Sequence, residues 1–191
     1  MTDPLEERVV GSRVIHRGRY LEFRVDTIER ADGSRGERDV VGHPGAVAVL
    51  AVDDDGRLLL VRQWRSPAGR ALLEIPAGTL DTHDGVLEDP DLAARRELEE
   101  ETGFRASSWR RLDTFWTAPG FASELMYLYL ATGLTPADGE RLGPDEDEHL
   151  ELRHVTLGEG EALAASGDIA DAKTLIALAR LAQLRAAGTL P

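Results

Sequence analysis

The 191-residue chain has no cysteine, a single lysine (Lys173) and few aromatics, with Phe, Trp and Tyr together only 5% of the residues. Without cysteine there is no disulfide framework, no thiolate zinc site and no cysteine nucleophile, while reducing and oxidising compartments both remain compatible. No stretch approaches the ~18 uninterrupted apolar residues of a membrane-spanning helix. The opening MTDPLEERVV carries acids where a secretory signal has a basic region and an apolar run. A cytoplasmic protein without a membrane partner is expected. Positive charge is also scarce: 22 Lys and Arg against 35 Asp and Glu leave a formal net charge of -13. Such a balance opposes a broad polyanion surface, because nucleic-acid binders gain most of their affinity by neutralising phosphates, so no nucleic-acid partner is expected. A small anionic ligand stays feasible. Nearly all the cations are arginines, which grip phosphate bidentately, although base composition alone produces the same bias.

What is present suits one well-buried core: 42% of the residues are hydrophobic, and residues 1–191 are expected to form a single domain. Residues 9–52 are strand-like, with Leu21, Phe23 and Val25 alternating against polar neighbours and a turn at Asp32-Gly33. They predict an antiparallel N-terminal section over residues 1–45. Residues 46–52 are almost wholly apolar, DDDG at 53–56 makes a turn, and residues 58–61 are apolar again, the pattern of a hairpin with buried strands. Residues 72–75 form a short strand that runs into Pro76-Ala77-Gly78. Further strands are expected at 111–116, 125–131 and 150–155, and helices at 157–165 and 171–186. The last helix has an apolar stripe at Leu175, Leu178, Ala179 and Ala182. Residues 135–147, rich in Gly, Pro and acids, make the longest loop.

Between Gly78 and Phe104 the chain reads GTLDTHDGVLEDPDLAARRELEEETGF. Asp89 fits a helix N-cap, Pro90 the first helical position and Gly103 the position past the end. Leu92, Ala93, Ala94 and Leu98 supply the apolar face. At 3.6 residues per turn Glu97 and Glu101 lie one above the other, with Glu100 alongside and Glu99 turned away, so two carboxylates converge on one cation. Like charges at that spacing destabilise a bare helix by roughly 0.2–0.5 kcal/mol per pair, and these stand at the negative end of the helix dipole. A bound divalent cation removes the conflict; magnesium takes one or two carboxylates, several waters and substrate phosphates. Arg96, four residues before Glu100, is within reach to hold that carboxylate as a strut, leaving Glu97 and Glu101 free. The plain alternative is a solvated acidic face. Against it, Arg, three Glu and Gly at these offsets, with apolar residues at the two set positions, arise by chance in on the order of one chain in ten thousand.

Arg96-Glu97-Leu98-Glu99-Glu100-Glu101-Thr102-Gly103-Phe104 resembles the core of the Nudix box, with Glu88 eight residues before Arg96 as that box requires. Gly78 fits its opening glycine, but nine residues separate it from Glu88 where the usual pattern has five, so the loop carries an insertion. The family hydrolyses nucleoside diphosphates linked to another moiety. The fold this resemblance implies is α/β (α+β), an α/β/α sandwich around a central mixed sheet, with residues 46–191 as the Nudix core beside the N-terminal strand section.

The resemblance extends over nearly the whole chain and points to the ADP-ribose pyrophosphatase branch. Glu74-Ile75-Pro76-Ala77-Gly78 is similar to the strand-to-loop segment of those enzymes, in which the alanine carbonyl is a metal ligand. Ala118-Pro119-Gly120-Phe121-Ala122-Ser123-Glu124 resembles their SPGF-x-[ST/D]-E segment, with Ala118 in place of the more usual serine. Asp145-Glu146-Asp147-Glu148 resembles the acidic loop that brings the catalytic base, and residues 167–175 resemble the G-x-I-x-x-A-K-T lead into the last helix.

Carried over to these positions, the metal set is Ala77 through its carbonyl with Glu97, Glu100, Glu101 and Glu148, for Mg²⁺ with Mn²⁺ as a substitute. The catalytic set is Glu97, Glu101, Arg96 and the base Glu146, with Glu148 competing for that last role. Arg65 would hold a phosphate or the terminal ribose. Arg38 would do the same job or lie solvated in a turn, and Arg62 would contact the substrate beside Arg65 or form a surface ion pair. Glu124 would hydrogen-bond ribose hydroxyls, with Gly120 and Phe121 in the same substrate segment. Tyr20, Phe23 and Phe121 would stack on adenine or join the core. The five histidines show no zinc spacing and receive no catalytic role; Trp64, Trp109 and Trp116 are expected to pack. In the resembling enzymes the N-terminal section exchanges between two subunits, which implies a homodimer.

The function implied is Mg²⁺-dependent hydrolysis of ADP-ribose to AMP and ribose 5-phosphate. The alternatives are another nucleotide sugar such as GDP-mannose, a dinucleotide or an oxidised nucleotide as substrate, or a non-catalytic nucleotide-sensing module. The full set of acids at 97, 100 and 101 speaks against a pure sensor.

Overall fold

The computed structural model describes residues 3–137 and 150–190. They gather into two compact units, one built on the chain up to residue 45 together with 116–125, the other on 46–115 and the chain from 126 onward.

In the first unit β1 (Glu7–Arg17), β2 (Glu22–Arg30) and β3 (Arg35–Gly42) form an antiparallel sheet in that order. The turn predicted at Asp32-Gly33 joins β2 to β3. Gly33 takes a positive φ of 80°, and the Asp32 carboxylate accepts from the Ser34 N–H at 2.9 Å. Residues 116–125 dock on the end of β3, where Val41 N–H donates to Phe121 O (2.7 Å) and Ser123 N–H to Val41 O (3.0 Å).

The second unit runs β4 (Ala46–Ala51), β5 (Leu58–Arg65), β6 (Arg70–Glu74), β7 (Ala77–Thr79), β8 (Thr82–His83), β9 (Val86–Leu87), α1 (Pro90–Thr102), β10 (Phe104–Trp116), β11 (Leu125–Pro136), β12 (Glu151–Val155), α2 (Leu157–Ser166) and α3 (Ala172–Ala186). One sheet has the order β10-β11-β4-β7, with β4 parallel to β11 and antiparallel to β7, and is therefore mixed. A second sheet has the order β12-β5-β6. Every residue of β4 is buried, as its unbroken apolar run requires. Ala46, Ala48 and Leu50 face one cluster with Ala177, Leu178 and Leu181 of α3, and Val47, Val49 and Ala51 face another with Ala93, Ala94 and Leu98 of α1. A helix on each face of a mixed sheet is the α/β/α arrangement.

Several details differ from the sequence pattern. β4 and β5 do flank the Asp53–Gly56 turn, but they share only the single bridge Val52 to Leu58 and then join different sheets, so they form no hairpin. Burial on both faces lets β4 take partners on both edges. The buried stripe of α3 is Thr174, Ala177, Leu178 and Leu181, rotated from the predicted one, and Leu175 and Ala179 are exposed. Leu92 of α1 is exposed, and so are Trp64 and Trp116; only Trp109 packs, against the α1-side cluster.

Candidate active site

The site is built on α1. Asp89 caps the helix by accepting from the Asp91 N–H at 2.7 Å, Pro90 occupies the first turn, and Gly103 ends it with φ 70° and its N–H on Glu99 O at 2.8 Å. The insertion between Gly78 and Glu88 is absorbed by the β8–β9 ribbon. Asp84 (φ 50°) and Gly85 (φ 79°) turn it, both with the positive φ of a tight hairpin. The ribbon returns the chain to its start, where Glu88 N–H donates to Asp81 O at 2.8 Å, and Glu88 thereby reaches the helix.

Arg96 is the hub. Its Nε and Nη2 donate to the two oxygens of Glu88 (3.1 and 2.8 Å), and its Nη1 donates to Glu97 Oε1 (2.7 Å) and Glu100 Oε2 (2.8 Å). The strut to Glu100 is as expected from the i, i+4 spacing. Arg96 also holds Glu97, which the sequence pattern had left free of it. Hydrogen bonding from Arg96 holds Glu88 below the usual carboxylate range, and Glu88, ahead of Glu97 and Glu100, holds Arg96 firmly cationic. Glu99 points away and is bidentate with Arg105, both contacts at 2.6 Å.

Glu97 and Glu101 meet the backbone of β7. Ala77 N–H donates to Glu101 Oε2 at 3.0 Å, and the Glu97 carboxylate lies so close over Gly78 that a Cβ there would overlap it. One hard carboxylate thus meets the residue whose carbonyl the resemblance names as a third ligand and the other meets the next residue, a donor set that suits Mg²⁺ or Mn²⁺ and no soft metal. Among the described residues no three His, Asp or Glu side chains form a metal cage by themselves. Two carboxylates and backbone fit an ion that keeps waters and takes substrate phosphates. Glu146 and Glu148 lie outside the described residues.

Arg65 belongs to the same unit. Its Nε and Nη2 donate to Glu74 Oε1 (2.9 Å) and Oε2 (2.7 Å), and 38% of its side chain remains exposed. Burial works to raise the Glu74 pKa, but hydrogen bonds from Arg65 and the charge of Lys173 outweigh it and keep the carboxyl below its ordinary range. Arg62 pairs with Glu151 at the surface (3.3 Å).

The remaining predicted residues lie in the first unit. Thr117 donates its hydroxyl to Glu124, and His43 Nε2 stands 3.5 Å from the other Glu124 oxygen. Gly45 N–H donates to His43 Nδ1 at 3.0 Å, which leaves the ring proton on Nε2, facing Glu124. Burial lowers the His43 pKa against the opposing pull of Glu124. His43, facing Glu124, is a group that sequence reasoning missed; its one signal was its place before Pro44-Gly45 at the end of the N-terminal sheet. Phe121 is exposed and Gly120 has open space around it. Arg38 pairs with Glu7, with Nε at 2.9 Å from Oε2. Tyr20 and Phe23 are exposed rather than core.

A mixed sheet between helices, with a carboxylate-bearing helix held against a glycine of the neighbouring strand, defines a Nudix hydrolase, an enzyme class acting on phosphorus anhydrides with a divalent metal ion. The chain belongs to that family: residues 42–178 match the NUDIX domain and residues 7–41 the nucleoside diphosphate sugar hydrolase N-terminal domain. Within the family it is 41% identical to the ADP-ribose pyrophosphatase of Bacillus subtilis (strain 168), over 91% of each chain. It is 40% identical to the methanol dehydrogenase activator of Bacillus methanolicus, again over 91% of each. The GDP-mannose pyrophosphatase of Cronobacter sakazakii is 32% identical, with 83% of this chain and 84% of that one covered. A crystal structure of an ADP compounds hydrolase superposes with a TM-score of 0.80 at 25% identity, each chain covered in full.

Proposed function

We propose that the protein hydrolyses the diphosphate of ADP-ribose to AMP and ribose 5-phosphate with Mg²⁺, Mn²⁺ being able to substitute. The observation that carries this reading is the meeting of Glu97 and Glu101 on the Ala77-Gly78 backbone, with Arg96 tying Glu97 to Glu88 and Glu100. The metal, when bound, supplies charge neutralisation on the diphosphate and lowers the pKa of an attacking water. Glu97, Glu101 and the Ala77 carbonyl would hold it, with Glu100 beside them and Glu148 completing the set. Glu146 would take the proton of the water as its oxygen attacks phosphorus and the bridging P–O bond breaks, with Glu148 the competitor for that role. Arg65 keeps N–H groups beyond the two on Glu74 with which to grip a phosphate. Glu124, held by Thr117 and facing His43, would accept from ribose hydroxyls; Gly120 and Phe121 would flank the nucleotide, with Arg38 a further anion contact.

The identity to ADP-ribose pyrophosphatase supports this substrate over GDP-mannose, the second reading, which rests on the lower identity to the GDP-mannose pyrophosphatase. A cytoplasmic homodimer completes the proposal. Incubation with Mg²⁺ and a panel of nucleotide diphosphate compounds, with products identified by chromatography, tests the activity. ADP-ribose is expected to be turned over fastest. A preference for GDP-mannose would reject the substrate, and turnover of none would reject the enzyme. Glu101→Gln is expected to lower kcat by about 100-fold or more with the fold intact; a near-normal rate would show the ligands misplaced.

A further inference from the structure

Lys173 is the only lysine of the chain, whose 22 Lys and Arg residues are otherwise all arginine. It is buried, its Nζ is ion-paired with Glu74, and it lies 3.1 Å from Asp171 Oδ1. Glu74, only 1% exposed, is shared between this ammonium and the Arg65 guanidinium. Two carboxylates and two cations so placed balance in charge. Yet a buried ion pair is seldom more stabilising than apolar side chains of the same volume, so its contribution here is a defined geometry rather than net stability. Arginine would not serve: one guanidinium already spans both Glu74 oxygens, and the remaining approach suits a compact ammonium on a thin stem.

The geometry concerned is the joint between the two sheets of the second unit. Glu74 is the last residue of β6, Ala77 the first of β7, and the chain changes sheets within Ile75 and Pro76. Three backbone groups there are tied. Ile75 N–H donates to Thr174 Oγ1 at 2.9 Å, and the Thr174 hydroxyl in turn donates to Asp171 Oδ2 at 2.6 Å. Val49 N–H donates to Pro76 O at 2.8 Å, and Ala77 N–H reaches Glu101 at 3.0 Å. The first turn of α3 therefore grips one side of a joint whose other side meets the carboxylates of α1, three residues away. With a proline in between, a shift at Glu74 has little slack in which to dissipate before Ala77.

We propose that Lys173, together with Thr174, is a positioning residue for the metal site: by fixing Glu74 and Ile75 it sets the Ala77-Gly78 backbone against which Glu97 and Glu101 are held. The proposal rests on the reading of those two carboxylates as metal ligands. It assigns a purpose to the Ala172-Lys173-Thr174 motif, which the catalytic reading leaves unused.

The test is Mn²⁺ binding followed by electron paramagnetic resonance on the full chain and on Lys173→Met, Thr174→Val and Glu101→Gln, with thermal unfolding of each. Lys173→Met and Thr174→Val should bind Mn²⁺ about 10- to 100-fold more weakly and lose kcat by a similar factor, while KM for ADP-ribose stays within about threefold. A merely structural role would lower the unfolding temperature and leave the Mn²⁺ affinity of the folded protein unchanged. Affinities within about twofold of wild type in both variants overturn the proposal. If Lys173→Met does not fold, Thr174→Val, which removes one hydroxyl and no charge, decides alone. If Glu101→Gln binds Mn²⁺ as well as wild type, the metal reading itself fails and takes the proposal with it. Loss in Glu101→Gln beside retention in the other two rejects the positioning role only.

Discussion

Gly78 has no room for a side chain, because the Glu97 carboxylate occupies the space a Cβ would take. Gly78→Ala must either push Glu97 off the strand or shift the strand from the helix. Forcing one methyl group into packed space costs about 1–3 kcal/mol, and moving a ligand carboxylate should weaken Mn²⁺ binding by about tenfold or more. Urea unfolding and Mn²⁺ titration of the variant check both; a variant as stable and as tight-binding as wild type would show that Glu97 does not depend on this glycine. At this scale the sequence is legible where neighbours are close in the chain. Helical periodicity alone put Glu97 and Glu101 on one face and Glu100 within reach of Arg96. It could not show Ala77 N–H on Glu101, 24 positions on, or Lys173 on Glu74, 99 positions away, since such contacts are set by sheet packing. His43 escaped for the same reason, facing Glu124 only because residues 116–125 dock on β3.

At the scale of the element, α1 is an acidic helix made tolerable by one arginine. Arg96 binds Glu88, Glu97 and Glu100 together and offsets part of their charge, with 25% of its side chain exposed. Arg96→Met leaves three carboxylates without their shared partner. The loss expected is about 1–3 kcal/mol, less than the 3–5 of a fully buried pair because solvent screens part of it. The sign of the pH dependence follows from Glu88, which Arg96 holds below its ordinary value of 4.5. Its contribution is complete above pH 4.5 and is lost as pH falls through the folded-state pKa, since the unfolded chain then binds more protons. The stability difference between wild type and Arg96→Met should therefore be widest near neutrality and shrink below pH 4.5. A difference that grew on acidification would contradict the assignment. The caps of this helix were readable from Asp89, Pro90 and Gly103. The pairing of β4 was not, because a run buried on both faces reads alike whether it turns back on its neighbour or enters the middle of a mixed sheet.

For the molecule as a whole, the distribution of exposed apolar side chains is uneven. Of the fifteen large hydrophobic residues exposed among the described residues, nine (Leu5, Val9, Val14, Ile15, Tyr20, Leu21, Phe23, Trp116 and Phe121) belong to the smaller unit, and Ile28 is the one hydrophobic residue there that is fully buried. A three-stranded sheet needs an apolar face covered to be stable, and contiguous apolar surface on a soluble chain marks an interaction site. The acidic charge of -13 disfavours loose self-association, so any contact between copies must be specific and apolar at its centre. A second copy is the partner that the proposed homodimer would place on this surface. Gel filtration with light scattering at micromolar concentration should return a dimer. Val14→Glu combined with Ile15→Glu, two exposed positions in β1, should convert it to a monomer without loss of secondary structure by circular dichroism. A wild-type monomer would remove the proposal. A variant that stays dimeric would place the interface away from this sheet.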